Sequence, residues 1–427
     1  MADALVLIDA NNFYASCEQA LDPALLGRPV VVLSNNDGCV VSRSAEARKL
    51  GIPMGAPAFQ LRDQLERQAV VVRSSNYALY GDMSQRLMSS LEPWLAELEV
   101  YSIDEAFGRL PRPRQGGGDL SDWGSKLRAH IHQTLGLPIA IGLAPSKVLA
   151  KLANRIAKTE SHHAGVLDLG TSPDPSPWLE QVAIEEVWGI GRKLSRWCRL
   201  RGVATALQLR DMPSGELKAK AGVVGLRLQQ ELRGISCLPL EQGPAAKRET
   251  CVSRSFSQPV TELAELRQAV ASHVARAAEK LRRQNQRAGR ITVFARTSPF
   301  APGFYGNAAS TALPLASNDT AVLLEAALRL VPALHRPHKH FQKAGVLLQE
   351  LQPDSQLQHH LLVPLAPEQQ QRRAALMQSI DRLNSRYGSG TVAWAACGLR
   401  PRWAMRRERL SRAATTRLSD LPTVWAH

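Results

Sequence analysis

Two adjacent carboxylates inside an apolar stretch, Asp104 and Glu105, constrain this 427-residue chain most strongly. Residues 99–107 read EVYSIDEAF, and their β-branched and aromatic side chains predict a strand. Burying one unpaired carboxylate costs free energy, and burying two side by side costs more, so a cation must lie between them. Because neighbours in a regular strand point to opposite faces, the two acids can share a site only at a strand end or a bend.

A third acid lies in a similar setting, because Asp9 ends the apolar run of residues 5–8. Three carboxylates at apolar strands are typical of a site for a hard divalent cation such as Mg²⁺. An isolated Asp-Glu pair is more often a solvated turn, and that alternative stays open for each acid taken alone. The apolar flanks of all three acids together favour the metal site.

The composition predicts a folded protein with a polyanionic partner. The formal net charge is +15, and nucleic acid is the commonest partner of such chains, although ribosomal and membrane-surface proteins share this property. The length suffices for two to four domains. We find no apolar run long enough to span a bilayer and no basic segment typical of a signal peptide. The six scattered cysteines lack a CxxC pair, which indicates reduced thiols in the cytoplasm.

Residues 145–158 form the most readable helix of the chain. Its polar residues fall at i, i+4, i+7, i+8 and i+11 and therefore form one stripe, which comprises Lys147, Lys151, Asn154, Arg155 and Lys158. A basic stripe is usually a solvated face. Here it follows a strand with metal-site character, so we expect it to bind phosphate, with Lys147 and Lys151 directed at DNA backbone.

Residues 187–191 read VWGIG, which suggests the hairpin of a helix-hairpin-helix element. Gly189 and Gly191 would let backbone N–H groups approach a phosphate, with Arg192 directly behind them. A second glycine-bearing turn is expected at residues 222–225. Beyond residue 248 the chain becomes rich in strands, and Arg254 and Arg296 are candidates for phosphate contacts there.

The C-terminal region carries no catalytic pattern. Residues 402–412 are densely basic and include Trp403, a setting that suits DNA or an acidic partner. Residues 358–362 read QHHLL and could be a degenerate sliding-clamp peptide. That segment lacks the terminal aromatic residue such peptides usually carry, so a plain linker is the favoured alternative.

Several of these motifs together resemble the Y family of translesion DNA polymerases. The resemblance is carried by residues 102–106 (SIDEA), by Asp9 with residues 11–14 (NNFY), and by residues 144–158. Four further segments resemble the branch that provides the catalytic subunit of DNA polymerase V, namely residues 34–39 (SNNDGC), 75–77 (SNY), 297–300 (TSPF) and 415–421 (TTRLSDL). The resemblance runs from Leu5 to the C-terminus.

This resemblance implies an α+β multidomain fold shaped like a right hand. The expected parts are a ferredoxin-like palm (1–19 and 74–170), small fingers (20–73), a helical thumb with a helix-hairpin-helix element (171–240), an α+β little finger (248–352) and a C-terminal tail of this branch (353–427).

The resemblance also implies roles for individual residues. Asp9, Asp104 and Glu105 would be the catalytic carboxylates and would hold two Mg²⁺ ions, with the backbone carbonyl of Ala10 as a further ligand. Three residues would bind the incoming nucleotide. Tyr14 would be the steric gate that excludes a ribose 2′-hydroxyl, although an ordinary packing role is equally compatible with its sequence context. Arg48 and Lys158 would contact the triphosphate.

The function implied is error-prone translesion synthesis in the SOS response to DNA damage, without proofreading. The implied partners are primer-template DNA, dNTP, a processed UmuD dimer bound at the tail, a RecA filament and a sliding clamp. The implied location is the cytoplasm, at the nucleoid. Two alternatives are a DinB-type polymerase, which residues 34–39 and the long tail disfavour, and a non-catalytic scaffold of the ImuB type, which the three acids disfavour.

Overall fold

The computed structural model describes residues 5–111, 120–170, 174–243, 246–356, 367–399, 402–415 and 417–421. The proline and glycine residues of 111–118 predict a loop, and the proline, serine and aspartate residues of 172–177 predict a linker. Most of this loop, the first part of this linker and the segment 358–362 lie outside the described residues. The chain forms two compact units, Met1–Pro244 with Glu408–His427, and Ala245–Arg407. The region predicted as one tail is therefore divided between the units. No described helix has the length and apolar character needed to cross a membrane.

Unit 1 contains two sheets. Its described strands are β1 (Leu5–Ala10), β2 (Val30–Leu33), β3 (Val40–Arg43), β4 (Val71–Ser74), β5 (Glu97–Val100), β6 (Glu105–Arg109), β7 (Ile139–Ala144) and β8 (Val166–Asp168). The larger sheet has the order β5-β6-β1-β7-β8, and the smaller one has the order β3-β2-β4. Strand β1 pairs antiparallel with both β6 and β7 and lies at the centre of the larger sheet.

Helices cover these sheets and form the thumb region. The described helices of unit 1 are α1 (Phe13–Leu21), α2 (Ala45–Lys49), α3 (Arg62–Arg67), α4 (Tyr77–Leu91), α5 (Leu120–Leu135), α6 (Lys147–Thr159), α7 (Ser176–Gln181), α8 (Arg192–Arg199), α9 (Ala206–Asp211) and α10 (Ser214–Leu232). All six residues of β1 and of β7 are buried, which explains why these central strands are apolar apart from Asp9.

Helix α6 lies directly on strand β7. A Cβ atom added at Gly142 would be 2.2 Å from the carbonyl oxygen of Ala150, so only glycine permits this close approach. The hydroxyl of Ser146 accepts a hydrogen bond from the Leu149 N–H at 3.3 Å and caps the helix. The sheet therefore sets the position of α6 and of the lysines that it carries.

The apolar run at 30–33, the turn signal NNDG at 35–38 and the following CVV predict a β-hairpin, and the smaller sheet confirms it. Strands β2 and β3 are antiparallel, and the connecting turn places Asn36 and Asp37 at φ values of 61° and 51°. Strand β4 joins the other side of β2 in parallel, with Val30 opposite Val71. This third strand was not predicted, because a parallel partner is chosen by the tertiary fold and leaves no local turn signal.

The thumb region shows the predicted glycine hairpin between residues 187 and 191. Gly189 has a φ of +94°, which favours glycine, and Gly191 is the N-cap residue of α8. The second turn expected at residues 222–225 is a kink within α10, where Gly222 has φ 64° and ψ −155°.

Unit 2 is built on one antiparallel sheet with the order β11-β10-β12-β9. Its described elements are β9 (Thr250–Val260), α11 (Leu263–Arg283), β10 (Gln286–Thr297), β11 (Gly306–Ser317), α12 (Thr320–Leu334), β12 (Phe341–Pro353) and α13 (Pro367–Tyr387). The residue pattern predicts strands at 250–256, 291–297 and 343–351 and helices at 262–283 and 320–334, and the structure agrees with all five. The α+β class is confirmed. Strand β11 was missed because it consists mainly of small residues with low β-propensity.

Trp403 belongs to the core of unit 2, whereas binding of DNA or an acidic partner by the basic segment 402–412 stays a prediction. Trp403 is buried, with 9% exposed, and its ring packs on Phe256 and His273 at centroid distances of 5.8 and 5.9 Å. Within unit 2 the basic segment around Trp403 is therefore anchored by an aromatic residue that belongs to the core.

Burial of His273 predicts that acid destabilises unit 2. Its Nε2 has no hydrogen-bond partner among the described atoms, and burial together with the charge of Arg254 lowers its pKa from 6.5 to about 4. Between these values the unfolded chain binds the extra proton, so stability falls as the pH falls from 6.5 to 4, by about 3 kcal/mol in total. Urea unfolding at pH 7.5 and pH 5 should show about 2 kcal/mol of this loss, because pH 5 lies inside the interval. The variant His273→Leu should reduce the loss. An equal loss in both proteins would contradict the assignment.

Candidate active site

The two adjacent acids lie at the bend that their shared site requires. Strand β5 ends at Val100 and β6 begins at Glu105, so Asp104 closes the turn between the strands. The Ser102 hydroxyl organises this turn. It donates to Asp104 Oδ1 at 2.6 Å and accepts from the backbone N–H groups of Asp104 and Glu105 at 3.3 and 3.0 Å. The turn therefore presents both carboxylates at the same end of the sheet.

Asp9 joins this pair through the sheet register. Asp9 lies directly opposite Glu105 in the β1–β6 pairing, and the Ala10 N–H donates to the Asp104 carbonyl oxygen at 2.9 Å. Asp9 is 9% exposed, and burial raises the pKa of its carboxyl from 3.8 to about 7 against the opposing effect of Lys158. The protein alone thus stabilises the ionised form of this group poorly.

Two lysines of α6 neutralise the acids. Lys158 Nζ lies 2.5 Å from Asp9 Oδ1, and Lys151 Nζ lies 3.0 Å from Glu105 Oε2. Lys151 also lies over the rings of Tyr101 and Trp188, at 4.6 and 5.4 Å from their centroids. The sequence-based prediction directed Lys151 at DNA backbone, whereas the structure places it among the acids.

The donor atoms at this site suit a hard divalent cation. They are carboxylate oxygens next to the backbone of Ala10, and Asp9 and Glu105 each already bind a cationic group. Among the described residues, only Glu160, His162 and His163 have three potential metal-ligating atoms within 4.8 Å of one another. The three acids are less tightly gathered than this cluster, and the Asp104 carboxylate accepts a hydrogen bond from Ser102.

A cavity of about 520 Å³ opens beside the acids. Its lining combines the palm with the glycine hairpin of the thumb region and includes Asp9, Arg48, Glu105, Lys151, Lys158 and Trp188. The indole Nε1 of Trp188 donates to the Tyr101 hydroxyl at 3.2 Å and so fastens this hairpin to the acidic turn. Sequence reasoning identified the hairpin but missed the role of Trp188, which depends on a partner 87 residues away.

The three candidate nucleotide-binding residues occupy different parts of this region. Arg48 lines the cavity, and its Nη2 donates to Asn12 Oδ1 at 2.9 Å. Tyr14 is half-buried on α1 and stacks on Tyr80, with a centroid distance of 4.4 Å and an interplanar angle of 14°. Burial raises the pKa of the Tyr14 hydroxyl, and the nearby charge of Asp104 adds to this effect. Tyr14 therefore lies close to the acidic turn.

The structure corrects the prediction that Lys147 contacts DNA. Lys147 is 4% exposed, and its Nζ donates to Glu99 Oε2 at 2.5 Å and to the Pro239 carbonyl oxygen at 2.8 Å. Asn154 of the same predicted stripe is also buried and donates to the Ala140 carbonyl oxygen at 2.7 Å. The stripe is not a solvated face, because the sheet and the segment after α10 cover these two positions.

We expect Lys147→Met to destabilise unit 1 by about 3–5 kcal/mol, because it leaves the buried Glu99 carboxylate without its cation. The measurement is the urea midpoint of the full chain at pH 7.5. The exposed Lys193 of α8 provides the matched control, and Lys193→Met should leave the midpoint unchanged. Equal midpoints for the wild type and Lys147→Met would contradict the importance of this ion pair.

The predicted DNA contacts are distributed over both units. In unit 1, Gly189, Gly191 and Arg192 lie together at the start of α8, and Arg192 is exposed. In unit 2, Arg254 and Arg296 are both exposed but occupy opposite faces of the sheet. Arg254 pairs with the buried Ala344 of β12, so both residues lie on the α11 side of the sheet. Arg296 pairs with Lys343, the neighbouring residue of β12, and therefore lies on the opposite side. The structure does not bring these two arginines together.

Comparisons with known proteins agree with this architecture. The impB/mucB/samB family profile matches residues 8–155, the profile of its C-terminal domain matches residues 247–361, and a domain of unknown function (DUF4113) matches residues 374–424. Protein UmuC of Salmonella typhimurium is 43% identical, over 97% of this chain and 98% of the relative. Protein SamB of the same species is 42% identical over the same shares. DNA polymerase IV of Moorella thermoacetica is 28% identical over 91% of this chain and 94% of its own.

Solved structures show the same fold. A Y-family DNA polymerase chimera, Dbh-Dpo4(243-245)-Dbh, superposes with a TM-score of 0.63 at 23% identity, covering 81% of this chain and 98% of its own. An insertion ternary complex of Dbh DNA polymerase superposes with a TM-score of 0.55 at 22% identity over the same shares. The acids, the cavity and the glycine hairpin therefore lie in a polymerase fold.

Proposed function

The chain belongs to the impB/mucB/samB family and is an error-prone translesion DNA polymerase of the Y family, and we propose that it transfers nucleotides at a two-metal site formed by Asp9, Asp104 and Glu105. The observation that carries this proposal is the placement of the three acids at one end of the sheet, where Asp9 and Glu105 line a cavity together with Arg48 and two lysines. The proposed metal is Mg²⁺, bound as two ions.

Each side chain has a part in the reaction. Asp9 and Asp104 would hold both ions, with the carbonyl of Ala10 as a further ligand, and Glu105 would hold the ion at the primer terminus. Bound Mg²⁺ would activate the attacking 3′-hydroxyl oxygen and would neutralise charge on the leaving pyrophosphate. Arg48 and Lys158 offset the charge of the triphosphate. Lys158 must then leave Asp9, from which its Nζ is only 2.5 Å away.

The chain binds primer-template DNA and dNTP, as a polymerase must. The finer partners belong to the proposal, namely a processed UmuD dimer, a RecA filament and a sliding clamp, together with a role in the SOS response at the nucleoid. Identity of 43% to protein UmuC over 97% of the chain supports the first two. Exposed Arg192 and Arg296 are the proposed phosphate contacts, and the net charge of +15 supports such binding.

Primer extension with Mg²⁺ on an undamaged and an abasic template tests the proposal. We expect insertion opposite the abasic site, and stimulation by processed UmuD and a RecA filament. DNA binding without extension under every condition would instead support a non-catalytic scaffold. If neither processed UmuD nor the RecA filament changes the extension rate, the polymerase activity would be supported and the two proposed partners would be contradicted.

A further inference from the structure

Residues 408–411, near the C-terminal end of the described chain, belong to unit 1 and contact three parts of it. The Glu408 N–H donates to Asp37 Oδ2 at 3.2 Å, in the turn between β2 and β3. Arg409 then pairs with the last residue of β4, because its carbonyl oxygen accepts from the Ser74 N–H at 2.9 Å and its N–H donates to Ser74 Oγ at 3.0 Å. We call residues 408–411 the strap. It covers the end of a strand edge that would otherwise expose unpaired backbone groups.

The last residue of the strap enters a buried hydrogen-bond network. The Ser411 hydroxyl donates to Glu18 Oε1 at 3.1 Å and accepts from Asn76 Nδ2 at 3.0 Å. Glu18 and Asn76 are only 2% and 6% exposed. Because a buried carboxylate needs donors, this hydroxyl contributes to holding the Glu18 side chain in place.

The same Glu18 oxygen holds Tyr80. The Tyr80 hydroxyl donates to Glu18 Oε1 at 2.7 Å, and the Tyr80 ring stacks on Tyr14 at a centroid distance of 4.4 Å. Tyr14 and Glu18 are four residues apart on α1 and therefore lie on the same side of the helix. Tyr80 is therefore held by two contacts, the face of its ring on the Tyr14 ring and its hydroxyl on the Glu18 carboxylate.

From these contacts we propose that the strap is part of the sugar-selection device of this polymerase, with Ser411, Glu18 and Tyr80 as positioning residues that hold Tyr14 at the site of an incoming nucleotide. The inference rests on the proposed role of Tyr14 as the steric gate. A steric gate works only if its ring cannot yield to a 2′-hydroxyl, so rigid support behind the ring contributes to discrimination. The strap lies within the segment that matches a domain of unknown function, residues 374–424.

The test is the ratio of kcat/KM for dNTP insertion to kcat/KM for rNTP insertion, measured with the full chain and Mg²⁺. We expect Ser411→Ala to lower this ratio by about fivefold to tenfold, the factor associated with the net contribution of one ordinary hydrogen bond, through faster rNTP insertion. Insertion of dNTP should stay within about twofold of the wild type, because the acids and the cavity are untouched. Ser411→Thr keeps the hydroxyl and should restore the ratio. Ser419→Ala, in the same segment, should not change it.

A double-variant cycle separates positioning from general damage. Tyr14→Ala should abolish most discrimination, and adding Ser411→Ala to it should cause no further loss, because the two changes act through one ring. The proposal is overturned if Ser411→Ala alone leaves the ratio unchanged, or if it lowers the ratio by the same factor in the Tyr14→Ala background. A Tyr14→Ala variant that discriminates like the wild type overturns the gate assignment and this inference together.

Hydrogen exchange provides a readout that does not depend on polymerase activity. The amides of Ser74 and Arg409 should be protected in the wild type and should exchange faster in Ser411→Ala, whereas Ser419→Ala should leave both unchanged. Unprotected amides in the wild type would overturn the strap itself. A protein that extends no primer yet shows this protection would contradict the proposed function and, with it, the selection role, while confirming the docking of the strap.

Discussion

Asp104→Ala should abolish primer extension while leaving DNA binding and folding intact. We expect a loss of at least ~10³-fold in the rate of nucleotide insertion, because a bound metal contributes several kcal/mol to transition-state stabilisation and each 1.36 kcal/mol is a factor of ten. The fold should survive, since the backbone bond from the Ala10 N–H to the residue 104 carbonyl is unaffected and only the bond from Ser102 to the side chain is lost.

The matched control is Asp63→Ala, which removes an exposed carboxylate on α3 of the same unit and should not change the rate. Single-nucleotide insertion in Mg²⁺ and DNA binding by fluorescence anisotropy are the two measurements. An Asp104→Ala variant that retains a tenth or more of the wild-type rate would contradict the metal-site assignment. A parallel loss of DNA binding would indicate structural damage and call the interpretation of the rate into question.

Gly142→Ala should strongly destabilise unit 1. The added Cβ would lie 2.2 Å from the Ala150 carbonyl oxygen and 2.3 Å from the Asn154 backbone nitrogen. Both atoms belong to the backbone of α6, so no rotamer change can relieve the clash and the helix must move off β7. We expect a loss of about 3 kcal/mol or more in the free energy of unfolding, at the upper end of overpacking effects.

Gly81→Ala is the matched control for this change, because an added Cβ at Gly81, in helix α4, meets no atom within 4 Å. It should stabilise the protein by up to about 1 kcal/mol through the higher helix propensity of alanine. Urea unfolding reports both effects. Since α6 carries Lys151 and Lys158, any folded Gly142→Ala protein should also insert nucleotides more slowly. Equal stability of the two variants would show that α6 does not lie as closely on β7 as described.

The structure of the acidic turn could be predicted in part from local sequence. The apolar flanks of Asp104 and Glu105 predicted strand structure, and the alternation of side chains required a bend at the acids. The bend is present, and its organiser is Ser102, whose hydroxyl makes three hydrogen bonds over a span of three residues. Such turn chemistry is local, so the sequence contains it. The pairing of Glu105 with Asp9 joins two strands that are far apart in the chain and could be expected only from the family resemblance.

Helix α6 shows where a periodic pattern misleads. The spacing of its polar residues correctly predicted a helix and one common side, yet Lys147 and Asn154 are buried and Lys151 pairs with an acid. Periodicity states which residues share a side of a helix, but it cannot state what covers that side. The partners of Lys147, Glu99 and the Pro239 carbonyl, lie 48 and 92 residues away.

Local sequence determined the apolar run of β1, helix α6, the glycine hairpin and the bend at the two adjacent acids, because hydrophobic period, turn chemistry and charge are local properties. The α+β class and the roles of the acids were expected from the family resemblance. The tertiary structure alone decided that Lys147 serves the core, that Trp188 joins the glycine hairpin to the acidic turn, that Trp403 is buried and that the strap reaches Glu18. These four depend on contacts between segments far apart in the chain. Such contacts follow from the burial of whole surfaces rather than from any local pattern.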